Sequence, residues 1–249
     1  MTLSKQLKEA KGREMNYNLN QHYFSGSKKP SVAGILLLLL VILGLLLFAP
    51  TLAFVLLGIC LVGACILYKR KPTDAEIDEQ AAAFLAGIRP RALMKLGVEE
   101  EEVALATPIE FWGYSFNNVL SDDANREAFN IRGKDGKWRS SEIFVGAFYF
   151  SEDVVHYYYK ITSLVSDATR EGTEEYFYKD IVSVKTESSD KAYKNPKTGK
   201  EDQTKRVRYE GFTLRNTGGE STCCSVNDIE TAEAAVTAFR SLLKQKKMA

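Results

Sequence analysis

From position 32 to position 68 the chain runs for 37 residues without one charged side chain. A hydrocarbon core of about 30 Å takes about 20 apolar residues of helix. One straight helix of 37 residues would reach about 55 Å at roughly 1.5 Å per residue, which is far too long for a single span. Near the middle, in LLLFAPTLAFVL (residues 45–56), stands Pro50. Proline lacks an N–H and disfavours helix at the preceding residue, here Ala49. The run therefore predicts two spans, residues 32–49 and 51–68, folded into a transmembrane helical hairpin with Pro50 at its membrane turn.

Flanking charge predicts the orientation. Lys28 and Lys29 precede the run, Lys69, Arg70 and Lys71 follow it, and the tip around Pro50 carries none. Basic flanks favour the cytoplasmic side, so the expectation is an integral membrane protein with both termini cytoplasmic. A cleaved signal peptide does not fit, because some 30 polar residues come first and the run is too long for an h-region. An uncharged run offers no path for protons or ions. Gly34, Gly44, Gly58 and Gly63, with Ala53 and Ala64, offer small surfaces for helix packing within the hairpin or between copies, so a homo-oligomer is one expected partner state.

Outside the run, composition excludes several function classes. Residues 1–31, a polar cytoplasmic arm, carry six basic and two acidic side chains, whereas residues 69–249 carry 27 basic and 30 acidic ones. A mildly acidic folded part lacks the footprint of a nucleic-acid binder. Cys60 and Cys65 lie in the apolar run, and the neighbours Cys223 and Cys224 point to opposite faces of any strand. With only His22 and His156 and no CxxC pattern, the chain shows no zinc site. No cofactor is expected, since glycines that could cradle phosphates stand alone or in turns.

Residues 69–106 read as a helical connector. Pro72 marks a helix start, Ile77, Ala81, Phe84, Leu85 and Ile88 recur at helical spacing, and Arg89-Pro90-Arg91 breaks the pattern before a second short helix ending near Gly97. The acidic run from Glu99 to Glu102 points in all directions and reads as a solvated stretch. From about Pro108 the period becomes that of strands, rich in aromatic and β-branched residues: PIEFWGYSF, EAFNIRG, KWRSSEIFVGAFYF, DVVHYYYKITSLV, EEYFYKDIVSVKT, KRVRYEGFTLR and ESTCCSV. Asp135-Gly136 is a hairpin turn signal. An amphipathic helix with Ile229, Ala232, Val236, Phe239 and Leu243 on one face closes the chain, with Asn227 as cap and Glu230 as its capping-box partner.

Seven antiparallel strands followed by one helix is the element order of a pleckstrin-homology-like (PH-like) domain, an analogy of order alone. GKDGKWRSSEI (residues 133–143) and EEYFYKDIVSVKT (174–186) resemble segments of an uncharacterised group of bacterial two-span membrane proteins with a PH-like cytoplasmic domain. The resemblance covers about residues 71–226 and implies no activity; Trp138 and the EYFYKD aromatics would be core and corner residues. The expected fold class is thus α+β: the transmembrane hairpin, a short helical connector, and from residue 107 to 249 a seven-strand antiparallel PH-like barrel closed by the C-terminal helix. The resemblance also implies placement in a bacterial cytoplasmic membrane.

Candidate chemistry is sparse. His156 shares a strand face with Tyr158 and Lys160, opposite Val155, Tyr157, Tyr159 and Ile161, and reads as outward and solvated. It could serve as a general base only if a nucleophile met it, and no GxSxG or Cys/His signature is present. Asp122-Asp123 reads as a turn or cap. The two aromatic strands, Tyr157 to Tyr159 and Tyr176 to Tyr178, read as core, since their neighbours are acidic or apolar.

The stretch TESSDKAYKNPKTGKEDQTKRVR is more promising. Residues 187–208 hold seven basic and four acidic side chains: Lys191, Lys194, Lys197, Lys200, Lys205, Arg206 and Arg208 in a long loop. These seven are the candidate lipid- or partner-binding residues, each cation near an anionic surface contributing about 1 kcal/mol. The loop could equally be a solvated insertion that keeps a sheet edge soluble. The expected function is a non-enzymatic, membrane-anchored cytoplasmic binding or scaffold module that contacts membrane lipids or an unknown protein partner. The second expectation is an oligomerising two-span effector whose folded part senses a cytoplasmic signal.

Overall fold

The computed structural model describes residues 15–24, 71–117, 119–120, 129–194, 201–219 and 221–248, and Gly58. All of these except Gly58, Lys71 and Pro72 belong to one unit made of Met1–Ser25 with Thr73–Ala249. A short helix α1 (Tyr17–Phe24) precedes α2 (Asp74–Ala83) and α3 (Ile88–Leu96). Among the described residues nine strands follow: β1 (Ile109–Tyr114), β2 (Asn130–Arg132), β3 (Trp138–Ser140), β4 (Glu142–Phe150), β5 (Val154–Ser163), β6 (Thr169–Phe177), β7 (Ile181–Lys194), β8 (Glu201–Asn216) and β9 (Ser221–Val226). The last element is α4 (Ile229–Met248).

Local signals account for most boundaries. Thr73 caps α2, its hydroxyl accepting from the Glu76 N–H while the Glu76 carboxylate accepts from the Thr73 N–H, a complete capping box. A 3-10 turn (Leu85–Gly87) separates α2 from α3. Pro90 does not break α3 but sits in its first turn, where a missing N–H costs nothing. Gly97 ends α3 at φ 69°, in the left-handed region that glycine tolerates. The β2–β3 turn holds Gly136 at φ 81°, as the Asp135-Gly136 pair predicts. At the start of α4 the cap is Asp228 rather than Asn227: the Glu230 and Thr231 N–H groups donate to its Oδ1 at 3.1 and 3.3 Å. The Asn227 N–H instead donates to Trp112 O at 2.8 Å.

The strands form an antiparallel sheet in the order β1-β4-β5-β6, a two-stranded ribbon β2-β3, and an antiparallel sheet β7-β8-β9. The expected seven-strand closed barrel is therefore corrected: among the described residues nine strands lie in sheets of four, two and three, and no ladder closes them. The reason is local. The 3-10 turn Tyr178–Asp180 splits the expected strand EEYFYKDIVSVKT into the end of β6 and the start of β7, which pair with different partners. At the other seam β1 and β9 come close without forming a ladder. A Cβ on Gly113 would stand 2.3 Å from Ser225 O, so only glycine permits that approach.

The membrane expectation is also corrected. The hairpin over residues 32–68, with its turn at Pro50, lies outside the described residues apart from Gly58. Among the described residues no helix is long and apolar enough to cross a membrane, so the structure supports neither the transmembrane hairpin nor the integral-membrane placement. The 20-residue α4 shows why length alone does not make a span. Ala232, Val236, Phe239 and Leu243 are buried on one face, and the polar remainder would be stranded in hydrocarbon.

The main core lies between the two larger sheets and α4. Phe111, Phe144, Phe148, Phe150, Tyr157, Phe212 and Phe239 meet there, with the Phe148 ring 4.6 Å from Tyr157, 5.0 Å from Phe212 and 5.8 Å from Phe239. The four-stranded sheet is covered on its other face too. Val145, Ala147, Tyr149 and Tyr158 pack with Ile88 and Ala92 of α3, which is why all nine residues of β4 are buried and EIFVGAFYF reads as a nearly continuous apolar run. Ion pairs fasten α3 there: Arg91 Nη2 and Lys95 Nζ lie 2.6 and 2.8 Å from Glu171 Oε1, and Tyr158 OH donates to Oε2 at 2.9 Å.

A third cluster joins α1, α2 and the ends of the sheets through Tyr23, Phe24, Ile77, Ala81, Tyr114, Ile143 and Leu164. Asn20, fully buried, donates to Leu164 O at 2.8 Å and to Gln80 Oε1 at 2.9 Å. Beside it Arg139, 1% exposed, reaches Asp78 of α2 and Asp135 of the β2–β3 turn. This cluster fixes the β2–β3 ribbon beside the long strands β7 and β8.

Candidate functional site

The stretch from 187 to 208 is mostly sheet rather than a free loop. β7 runs on to Lys194, and β8 begins at Glu201. Pairing continues along this ribbon, with Asp190 opposite Arg208, Lys191 opposite Val207 and Ala192 opposite Arg206. The register then shifts, and Tyr193 pairs with Asp202 and Lys194 with Glu201. Residues 203–205 thus fall in an irregularity on β8 that lets Lys205 and Arg206 project together.

The seven cations predicted from sequence do not converge on one point. Lys197 and Lys200 lie outside the described residues, and Lys194 is described only as a member of β7. Lys191 bonds Asn117 Oδ1 through its Nζ. Arg208 is exposed and turns to Ser188 Oγ at 3.5 Å and Glu210 Oε1 at 3.9 Å. Of the seven, Lys205 and Arg206 line a concavity among the described residues. It is a cleft of about 530 Å³ lined by Ile131, Arg132, Trp138, Tyr193, Lys205 and Arg206.

The cleft is built by two elements distant in sequence. The β2–β3 ribbon supplies Ile131, Arg132 and Trp138; the β7–β8 ribbon supplies Tyr193, Lys205 and Arg206. Ile131, Trp138 and Tyr193 are half-buried and rest on the third apolar cluster, forming a floor. The Trp138 and Tyr193 rings sit 5.1 Å apart at an interplanar angle of 39°. Lys205 Nζ stands 5.7 Å from the Tyr193 ring centre, within cation–π range. Arg132 Nε donates to Gly136 O at 2.9 Å, which holds its guanidinium at the rim. Among the described residues lining the cleft there is no carboxylate, and Arg132, Lys205 and Arg206 line it together with the aromatic floor.

Sequence reasoning missed Arg132 and Tyr193, and it read Trp138 as core alone. A signal for Tyr193 was present, since it stands between Lys191 and Lys194 in KAYK. Nothing local linked that stretch to Trp138, which lies 55 positions earlier.

His156 is the second departure. It is buried rather than solvated, because α3 and its flanking segment cover that face of the sheet along with Tyr158. A nucleophile type does meet it: Ser151 Oγ lies 3.1 Å from Nε2, and Glu175 Oε1 lies 3.2 Å from Nδ1. The constellation has triad-like distances but serves the β4–β5 turn. Ser151 Oγ donates to Val154 O at 2.9 Å, and Ser151 N–H donates to the same oxygen at 3.0 Å. The Glu175 side chain is 59% exposed, so water screens the charge that a triad acid would supply from a buried position.

The remaining polar groups are bound into the scaffold. Glu99 to Glu102 are exposed, with Arg89 pairing to Glu100 at 2.5 Å. Tyr176 and Tyr178 are buried while Phe177 is 52% exposed, so the EYFYKD aromatics divide between core and surface. Asp122 and Asp123 lie outside the described residues. Among the described residues no group of three His, Cys, Asp or Glu side chains could hold a metal ion. No family model, curated protein or solved structure matches the chain.

Proposed function

We propose that the chain is a non-enzymatic binding module that engages an anionic partner through the cleft between the β2–β3 and β7–β8 ribbons. The observation that carries this reading is the convergence of Arg132, Lys205 and Arg206 over Trp138 and Tyr193, with no carboxylate among the described lining residues. Arginine forks and a lysine point charge are the groups that meet an anionic ligand with charge-assisted hydrogen bonds. Aromatic residues and arginine are also the side chains that most often dominate binding energy at interfaces. The non-enzymatic part of the reading is supported by Ser151, whose hydroxyl is engaged with Val154 O rather than left to attack a substrate.

An anionic group of this kind is carried by a protein segment, a lipid headgroup or a small phosphate-bearing molecule, and one double variant examines the first two. Lys205→Glu with Arg206→Glu reverses two exposed charges without touching the core. The double variant is expected to lose binding to acidic peptides or to anionic vesicles, whichever the native chain retains at physiological salt. Its circular dichroism should be unchanged. Measurable binding that is equal for native and variant chains in both assays would remove the cleft from the function.

A further inference from the structure

We infer that the ligand of this cleft is a nucleoside phosphate, with its base lying on the Trp138–Tyr193 floor and its phosphate among Arg132, Lys205 and Arg206. The inference rests on the binding-module reading above and names the chemistry of its ligand. A generic polyanion would use the cations alone and would make no contact with the accessible part of the aromatic floor. The half-buried Trp138 and Tyr193 rings, 5.1 Å apart, present adjoining planar surfaces. Every nucleobase has a π-face that stacks on such surfaces without requiring a particular hydrogen-bond pattern.

The cations are placed for the other half of the ligand. Arg132 is held by Gly136 O, so its fork is oriented before anything binds. Arg206 approaches from the opposite ribbon, and Lys205 stands beside the Tyr193 ring, where base and phosphate would meet. Arginine forks match phosphate oxygens in pairs, and the lysine adds a point charge. Size favours one nucleotide. A cleft of about 530 Å³ falls in the range of small-molecule sites, roughly 300–1,000 Å³. An extended strand would need a basic track, whereas residues 69–249 carry three more acidic than basic side chains.

The test is a titration of the full chain with adenosine and guanosine mono- and diphosphates. It is followed by calorimetry and by the fluorescence of Trp138, one of two tryptophans in the chain. Saturable binding with quenching is expected, with the unphosphorylated nucleoside and inorganic phosphate each at least about tenfold weaker. Trp138→Ala should weaken binding by about tenfold or more. Lys205→Glu with Arg206→Glu, whose exposed positions leave folding intact, should abolish it. The inference is overturned if inorganic phosphate or the bare nucleoside binds as tightly as the nucleotide. It is also overturned if Trp138→Ala binds normally, or if an oligonucleotide or tyrosine-phosphorylated peptide outcompetes every mononucleotide. If an acidic peptide or anionic vesicle binds through the two cations while nucleotides do not, this inference falls and the binding-module reading stands. If none of them binds, both fall.

Discussion

Arg139 grips Asp78 through two parallel hydrogen bonds, Nε to Oδ1 at 2.7 Å and Nη2 to Oδ2 at 2.6 Å, across 61 positions of sequence. The same guanidinium bonds Asp135 at 2.9 and 2.7 Å, and Tyr114 OH donates to Asp78 Oδ1 at 2.6 Å. Hydrogen bonding to Arg139 holds the Asp135 carboxyl well below the usual carboxylate range. A guanidinium this buried is retained only because its charge is met on two sides. Arg139→Met is therefore expected to destabilise the fold by about 3 kcal/mol, since it leaves Asp78 and Asp135 uncompensated. Asp135→Asn, at a third-exposed position, should cost about 1 kcal/mol. Urea denaturation of the three proteins measures both, and an Arg139→Met midpoint equal to the native one would show the cluster to be energetically idle.

The seam between the two larger sheets depends on a missing side chain. Gly113→Ala places a Cβ 2.3 Å from Ser225 O and 2.8 Å from Val226 N, both backbone atoms that cannot swing aside. A loss of about 2 kcal/mol or more is expected. Gly87→Ala is the matched control. Nothing lies within 4 Å of its Cβ and its φ of −107° suits any residue, so stability should stay level or rise by about 0.5 kcal/mol. Thermal melts of both variants decide the point, and similar melting temperatures would mean that β1 and β9 separate freely.

Phe148, fully buried, is the meeting point of Phe111, Tyr157, Phe212 and Phe239. Phe148→Ala is expected to cost about 3–5 kcal/mol by transfer and cavity terms together. The exposed Phe177→Ala should cost under about 0.5 kcal/mol. Equilibrium denaturation distinguishes them. A small loss at Phe148 would mean that the two sheets do not share one core.

Acid should loosen α3 before the rest of the fold. Hydrogen bonding from Arg91, aided by Lys95 and Tyr158, draws Glu171 down to about 2. Because the folded value lies below the unfolded one of about 4.3, this contribution is fully present above that unfolded value. It fades as pH falls through the folded value. Native protein and Glu171→Gln should therefore differ in urea midpoint at pH 7 and converge toward pH 2. A constant difference across that range would place the stabilisation elsewhere.

Elements with a strong local period were legible. Ile77 and Ala81 of α2, and Ala232, Val236, Phe239 and Leu243 of α4, are buried as helical spacing requires. The Asp135-Gly136 turn stands where the dipeptide marks it. The basic stretch was misread as a long loop, since its seven cations and four acids mask any strand alternation. Tertiary pairing instead carries β7 on to Lys194 and starts β8 at Glu201. His156 was misread for a related reason. Alternation tells which residues share a face, and it cannot tell whether a helix from elsewhere covers that face.

By itself the sequence determined the periods, the Asp135-Gly136 turn, the helix end at Gly97, and the excess of cations between positions 187 and 208. These depend on neighbours within a few residues, where backbone geometry alone sets the outcome. Only the tertiary structure decided that the strands form separate sheets, that α3 buries Tyr149 and Tyr158, and that Arg132 and Trp138 face Tyr193, Lys205 and Arg206. Those arrangements join segments roughly 55 to 75 residues apart. Their free energy comes from area buried and charge paired between surfaces that no local pattern matches to each other.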